Sequence, residues 1–333
     1  MSELMIEAEG LTKHYGETKA LAGVSLQVPA GTVLGVLGPN GAGKTTAVRI
    51  LTTLTKPDGG WARVAGHDVV REAKAVQAEI GVTAQDATVD EMMSGRQNLV
   101  MIGRLSGLRR DDAKQVADSL LEKFELTEAA TRLVKGYSGG MRRRLDLAAG
   151  LVTRPPVPFL DEPTTGLDPA SRVRMWGVIR DLVADGATLL LTTQYLEEAD
   201  ELADRIIVVD HGRVIAEGTA AQLKSQTGGA RLQVTLTTAH REAADALRRF
   251  AAGEVVVSHD GRHLRAPVAT ASGLASAVVR TLDEAGISVD DVEVHPPSLD
   301  DVFFALTGHP ADDAGTGELD VESTDTETQV RQA

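Results

Sequence analysis

The chain has 333 residues, of which 42% are hydrophobic, and 34 Lys and Arg stand against 48 Asp and Glu for a formal net charge of −14. That is ample apolar material for one large domain or two, and the negative balance opposes the electrostatic attraction behind nearly all non-specific nucleic-acid contact, which excludes nucleic acid as a partner. The lack of cysteine excludes disulfides, iron–sulfur clusters and thiolate zinc sites, and with aromatics at 3% the core must be aliphatic.

The chain opens on the acidic stretch Met1 to Leu4, unlike a signal peptide, and no apolar run approaches the length that spans a bilayer. These features predict a soluble, cytoplasmic protein. Residues up to about Gly31, and again from Trp61 to Gly66, alternate as strands of a small antiparallel layer.

The apolar run Val33 to Leu37 reads as a buried strand, and Gly38, Pro39, Asn40, Gly41, Ala42, Gly43, Lys44 and Thr45 behind it complete G-x-x-x-x-G-K-[ST], followed by Thr46. This is a P-loop: the glycines let backbone N–H groups face a phosphate chain, Lys44 reaches the β and γ phosphates, and the Thr45 hydroxyl can hold Mg²⁺. The next helix, with Val48, Ile50, Leu51 and Leu54 as its apolar positions, aims its positive dipole end at the same phosphates. A nucleoside triphosphate is the expected ligand.

From about Asp86 to Gly150 the pattern turns helical, with Ala113 to Phe124 the clearest helix. Within it stands Tyr137-Ser138-Gly139-Gly140-Met141-Arg142-Arg143-Arg144. The three arginines read as a solvated helix face with one member paired to an acid, Asp146 being a nearby candidate.

Val157 to Leu160 then runs into Asp161-Glu162-Pro163. An acid ending a strand next to a P-loop helps hold Mg²⁺, and a carboxylate beside it can deprotonate the attacking water. Asp161 is therefore the expected metal-side acid and Glu162 the base. Pro158 lacks a ladder donor, which predicts a strand that starts late or carries a bulge. Further buried strands are expected at Thr188 to Leu191 and Ile206 to Val209, giving an α/β core around a mostly parallel sheet.

Taken in order, Tyr15, the P-loop, Gln85, the Ser138-Gly139-Gly140 signature, Asp161-Glu162 and Gly166-Leu167-Asp168 resemble the ATP-binding cassette (ABC) ATPases over residues 4 to 220 or so. The resemblance implies a P-loop cassette with a mostly parallel core, a small antiparallel layer and a helical subdomain at about 86–150. It implies that Tyr15 stacks on adenine, that Gln85 links the γ-phosphate and Mg²⁺ to a membrane partner, and that Asp168 belongs to the nucleotide site. Ser138, Gly139 and Gly140 would meet the γ-phosphate held by a second copy, which makes a head-to-tail dimer. The implied permease is a separate polytopic membrane protein, with this chain peripheral on the inner face of the cell membrane.

Three positions depart from the usual pattern: Tyr137 stands in place of Leu, Met141 in place of Gln, and Gln194 in place of the switch histidine. Glutamine donates a hydrogen bond but cannot titrate near neutral pH. Together with Thr192 to Glu198 and Pro297 to Pro310, these departures resemble the daunorubicin/doxorubicin-resistance type of ABC exporter ATPase. The cargo implied is a hydrophobic, anthracycline-like compound; a lipid or polysaccharide exporter, or a soluble non-transport ABC ATPase, are the alternatives.

After the polar break at 224–229 the pattern follows β-α-β-β-α-β: a strand at Leu232 to Leu236, a helix at Arg241 to Phe250, strands at Val255 to Val257 and Leu264 to Val268, a helix at Leu274 to Leu282, and a strand at Ile287 to Val294. That order is ferredoxin-like. His259 and His263 flank Asp260-Gly261 and read as surface residues rather than a metal site. A last helix should start at Ser298, boxed by Asp301, and dock through Val302, Phe303 and Leu306. The predicted organisation is an ATPase domain at 1–223, a small α+β domain at 230–308 and a disordered acidic tail at 309–333.

Overall fold

A computed structural model describes residues 3–83, 89–226, 230–258, 260–269, 273–295, 298–299 and 302–303. Gln85, His259, Asp301, Leu306 and the acidic tail lie outside these residues. The chain begins with two long strands, β1 (Leu4–Tyr15) and β2 (Thr18–Pro29), then β3 (Val33–Leu37), α1 (Lys44–Leu51), β4 (Gly59–Val64), β5 (His67–Asp68), α2 (Ala73–Glu79) and β6 (Ile80–Thr83). Next come the helices α3 (Gly95–Leu105), α4 (Arg110–Lys123) and α5 (Gly139–Gly150). The order then alternates: β7 (Val157–Asp161), α6 (Pro169–Ala184), β8 (Leu189–Thr193), α7 (Leu196–Leu202), β9 (Arg205–Asp210), β10 (Arg213–Gly218) and α8 (Ala220–Gln226).

Two sheets follow from this order. The antiparallel layer is arranged β2-β1-β4-β5, and the core sheet β10-β9-β3-β8-β7-β6. Every pair in the core sheet is parallel except β9 with β10 at the edge. Its strands β3, β7 and β8 are buried at all five positions, as a sheet covered on both faces requires. One face, with α1, packs against the antiparallel layer through Ile6, Leu21, Ile50 and Phe159. The other packs against α3 to α6 through Leu99, Leu121, Leu145 and Ile179.

Two expectations are corrected here. Strand β7 neither starts late nor bulges: Pro158 is its second residue, in regular register with Gly81, and pairing with β8 begins only at Phe159, so the missing donor falls outside that second ladder. Leu54 is not on the apolar face of α1, which ends at Leu51; Thr53 turns left-handed (φ 65°) and leaves Leu54 62% exposed.

The third sheet lies beyond α8, in β11 (Arg231–Leu236), α9 (Ala243–Arg248), β12 (Val256–Val257), β13 (His263–Pro267), α10 (Leu274–Glu284) and β14 (Val289–His295). Its strand order is β12-β13-β11-β14 with every pair antiparallel, the ferredoxin-like arrangement expected. Leu232, Val234, Leu247, Val278 and Leu282 form its core. The chain then comes back: Leu299, Val302 and Phe303 are buried in one cluster with Leu37, Leu196, Ala199, Ile206, Val208 and Leu223. His263 is partly exposed, with Asp260 3.6 Å away.

Candidate nucleotide site

The site is built where β3, β7 and β8 end side by side. Between β3 and α1 the loop wraps tightly because two of its glycines admit no side chain. A Cβ on Gly38 would lie 2.2 Å from the Val209 carbonyl oxygen, and one on Gly43 2.5 Å from that of Ala20. Gly43 also caps α1 with φ 110°, a backbone open to glycine. The loop is pinned from outside by the Gly212 N–H, which donates to the Ala42 carbonyl at 2.9 Å.

Lys44 is the first residue of α1, and its side chain is only 4% exposed. Its ammonium donates to the carbonyls of Gly38 and Pro39 at 2.7 and 3.2 Å and lies 3.5 Å from Glu162 Oε1. One residue on, the Thr45 hydroxyl donates to Asp161 Oδ1 at 3.4 Å. Asp161 also accepts a short hydrogen bond from the Thr192 hydroxyl at the end of β8. A hydroxyl and a carboxylate converging in this way form the hard oxygen set that suits Mg²⁺, and a glycine-walled cradle at a helix N-terminus suits phosphate.

Glu162 sits just past β7 with a left-handed backbone (φ 49°), a conformation that costs a residue with a side chain about 1–3 kcal/mol and persists only when its surroundings fix it. Its N–H donates to the Thr192 carbonyl at 3.0 Å and to the Thr192 hydroxyl at 3.1 Å, and its Oε2 accepts from the Thr165 hydroxyl at 3.4 Å. Gln194 follows β8 and carries a buried Oε1 without a protein partner among the described residues, a polar atom of the kind a bound ligand or water satisfies.

Other sequence-predicted residues stand further out. Tyr15 ends β1 beside a turn and is 49% exposed, with the Lys13 ammonium 5.7 Å from its ring centre. Ser138 caps α5 by accepting from the Met141 N–H at 3.2 Å, and it lies exposed together with Gly139. Asp168 caps α6 by accepting from the Ser171 N–H at 3.0 Å; the Ser171 hydroxyl first, and then this N–H, hold its carboxyl below the usual range. Tyr137 is buried because its hydroxyl donates to the Ala129 carbonyl at 2.7 Å and Gly95 leaves room for it.

The arginine run is not a solvated face. Successive helical residues point about 100° apart, so the three diverge: Arg142 pairs with Glu91 at 2.7 Å, Arg144 reaches the Phe124 carbonyl at 3.1 Å and Glu125 at 3.5 Å, and Arg143 turns inward to Asp161, Glu162 and Pro163. A second feature absent from the sequence reading is Glu198 on α7, fully buried, with the Trp176 indole N–H 3.3 Å from its Oε1. Burial pushes its carboxyl pKa up. No local pattern marks either residue, since both partners come from distant elements.

Comparison with known proteins agrees with this geometry. The ABC transporter family model matches residues 21–165, and the model for the C-terminal domain of DrrA1-3-like ATP-binding proteins matches residues 218–307. The daunorubicin resistance ATP-binding protein DrrA3 of Streptomyces coeruleorubidus is 56% identical over 308 residues, which cover 92% of this chain and 97% of the relative. This chain belongs to the ABC transporter ATP-binding proteins. As an ABC ATPase it binds and hydrolyses ATP. The daunorubicin/doxorubicin resistance ATP-binding protein DrrA of Streptomyces peucetius is 51% identical over 94% of this ABC protein and 95% of its own length, and a Nod factor export ATP-binding protein I of Rhizobium sp. (strain N33) is 36% identical over 92% and 98%. Among solved structures, an ATP-binding cassette of an ABC transporter in its ADP conformation superposes with a TM-score of 0.60 at 26% identity, covering 66% of this chain and 93% of that one.

Proposed function

We propose that this ATPase, as a head-to-tail dimer holding two MgATP, drives a separate polytopic permease that exports a hydrophobic, anthracycline-like compound. The observation that carries the chemistry is the meeting of Lys44, Thr45, Asp161 and Glu162 at the ends of adjacent strands. The P-loop amides and Lys44 bind and orient the phosphates, Tyr15 receives the adenine, and Thr45 and Asp161 would hold Mg²⁺ with Gln85. Bound there, Mg²⁺ supplies positive charge against the phosphate oxygens. Glu162 takes the proton of the attacking water, and Gln194 donates to the terminal phosphate.

The dimer reading is supported by the N-terminus of α5, where Ser138 and Gly139 are exposed at a helix end of the kind that binds phosphate; Gly140 and Asp168 are assigned to the same nucleotide. In this reading the chain divides into 1–223, 230–308 and a tail at 309–333, although α8 runs on to Gln226, three residues past the first boundary. No helix among the described residues is long and apolar enough to cross a membrane; in this reading the chain sits on the inner face of the cell membrane through the permease.

The drug reading draws on the daunorubicin resistance relatives. A different cargo is favoured by one specific observation, the Nod factor export relative, which matches almost its whole length. Inside-out vesicles carrying this chain and its permease should accumulate an anthracycline with ATP and fail to do so with Lys44→Ala. Vigorous ATP hydrolysis without drug accumulation would move the assignment to the other cargo.

A further inference from the structure

Arg143 lies one turn inside α5 and reaches across to three successive main-chain carbonyls outside its own helix. Its Nη2 donates to the carbonyls of Asp161 and Glu162 at 2.7 Å each, and its Nε to that of Pro163 at 3.1 Å. Those residues are the acid pair and the proline behind it. Burial pushes the guanidinium's pKa down, while the charges of Asp146, Asp161, Glu162 and Glu198 around it push the other way. An arginine stays cationic in such a setting, and its planar fork can serve several acceptors together.

Glu162 is therefore held from two sides. Its N–H is tied to Thr192 on β8, and its carbonyl is tied to Arg143 on α5. Between these ties its backbone keeps φ at 49°, which surrounding bonds must enforce. Arg143 is five residues from the Ser138 cap, about 7.5 Å along one rigid helix, so a shift of that helix end moves the fork as well.

We propose that Arg143 is a positioning residue for ATP hydrolysis, fixing the main chain of Asp161 to Pro163 so that the alignment of Glu162 depends on where the signature helix stands. It thereby couples the two nucleotide sites of a dimer: the helix end meets one ATP and the fork sets the base beside the other. This rests on reading Glu162 as the base.

The test uses the full-length chain in membranes with its permease, comparing steady-state hydrolysis by Arg143→Lys, Arg143→Gln, Glu162→Gln and the double variant Arg143→Gln/Glu162→Gln. The expected result is a fall in kcat of tenfold or more for Arg143→Gln and a smaller but clear fall for Arg143→Lys, with KM for MgATP within twofold of the parent. Because Arg143 acts through Glu162, the double variant should be no slower than Glu162→Gln alone. A rate for Arg143→Lys within twofold of the parent, a rise in KM that accounts for the loss, or a further drop in the double variant overturns the proposal. If Arg143→Gln does not fold, as judged by its thermal transition, the lysine variant decides. Parental hydrolysis by Glu162→Gln would instead remove the base assignment beneath it.

Discussion

Lys44 Nζ lies 3.5 Å from Glu162 Oε1, with both side chains less than a tenth exposed. One buried cation thus faces both the loop carbonyls and the carboxylate proposed to activate water. Lys44→Ala removes that charge and should weaken ATP binding as well as turnover. Glu162→Gln keeps shape and hydrogen bonding and should leave binding intact while lowering hydrolysis by about 10²-fold or more. Equilibrium nucleotide binding measured beside turnover separates the two; equal binding by both variants would contradict the division of labour.

Gln194 has no proton to exchange between about pH 6 and 8. Gln194→Ala should lower turnover about tenfold or more by deleting a donor. Gln194→His should stay active and acquire a titration near pH 6 to 7 that the parent lacks. Rates across that range decide, and an unchanged rate for Gln194→Ala ends the phosphate role.

Glu198 yields a stability prediction. Burial raises its carboxyl pKa above the ordinary 4.5, so the stability linked to its protonated form is fully present below that value and is lost as pH rises through the raised one. Glu198→Gln stays neutral throughout. The parent's urea midpoint should therefore fall relative to that of Glu198→Gln as pH rises from 4.5 toward neutrality; parallel curves would mean the carboxyl titrates as an ordinary one.

Phe303 is 4% exposed in the cluster that holds Leu37 and Leu196. Phe303→Ala should cost about 3 kcal/mol of stability through lost burial and a residual cavity. Denaturant unfolding measures it, and a loss below about 0.5 kcal/mol, the scale of a surface substitution, would mean the segment is not docked.

Much of this was legible in the sequence wherever one short stretch carries its own chemistry. The P-loop and the runs of β3, β8 and β9 are local, and the β-α-β-β-α-β order past residue 230 followed from alternation and turn residues. What was not legible depends on partners far along the chain. Arg143 looked like one of three surface charges because the turn it grips is 18 to 20 residues away, and Glu198 carried no signal of its own because Trp176, whose indole meets it, lies 22 residues earlier on α6. Leu54 misled through its spacing, since α1 stops three residues earlier.

Leu223 and the trio Leu299, Val302 and Phe303 share one cluster, on either side of the third sheet in sequence. The chain thus leaves the ATPase core and rejoins it at the same apolar patch, and everything between is a detour. Such a detour can be excised and its ends rejoined by a short flexible linker without stretching the chain, whereas cutting the chain off at Gly228 strips the patch of its cover. The two deletions remove almost the same sheet but should differ sharply in solubility, the excised form staying monodisperse and the truncated form aggregating through exposed Leu37, Leu196 and Ile206.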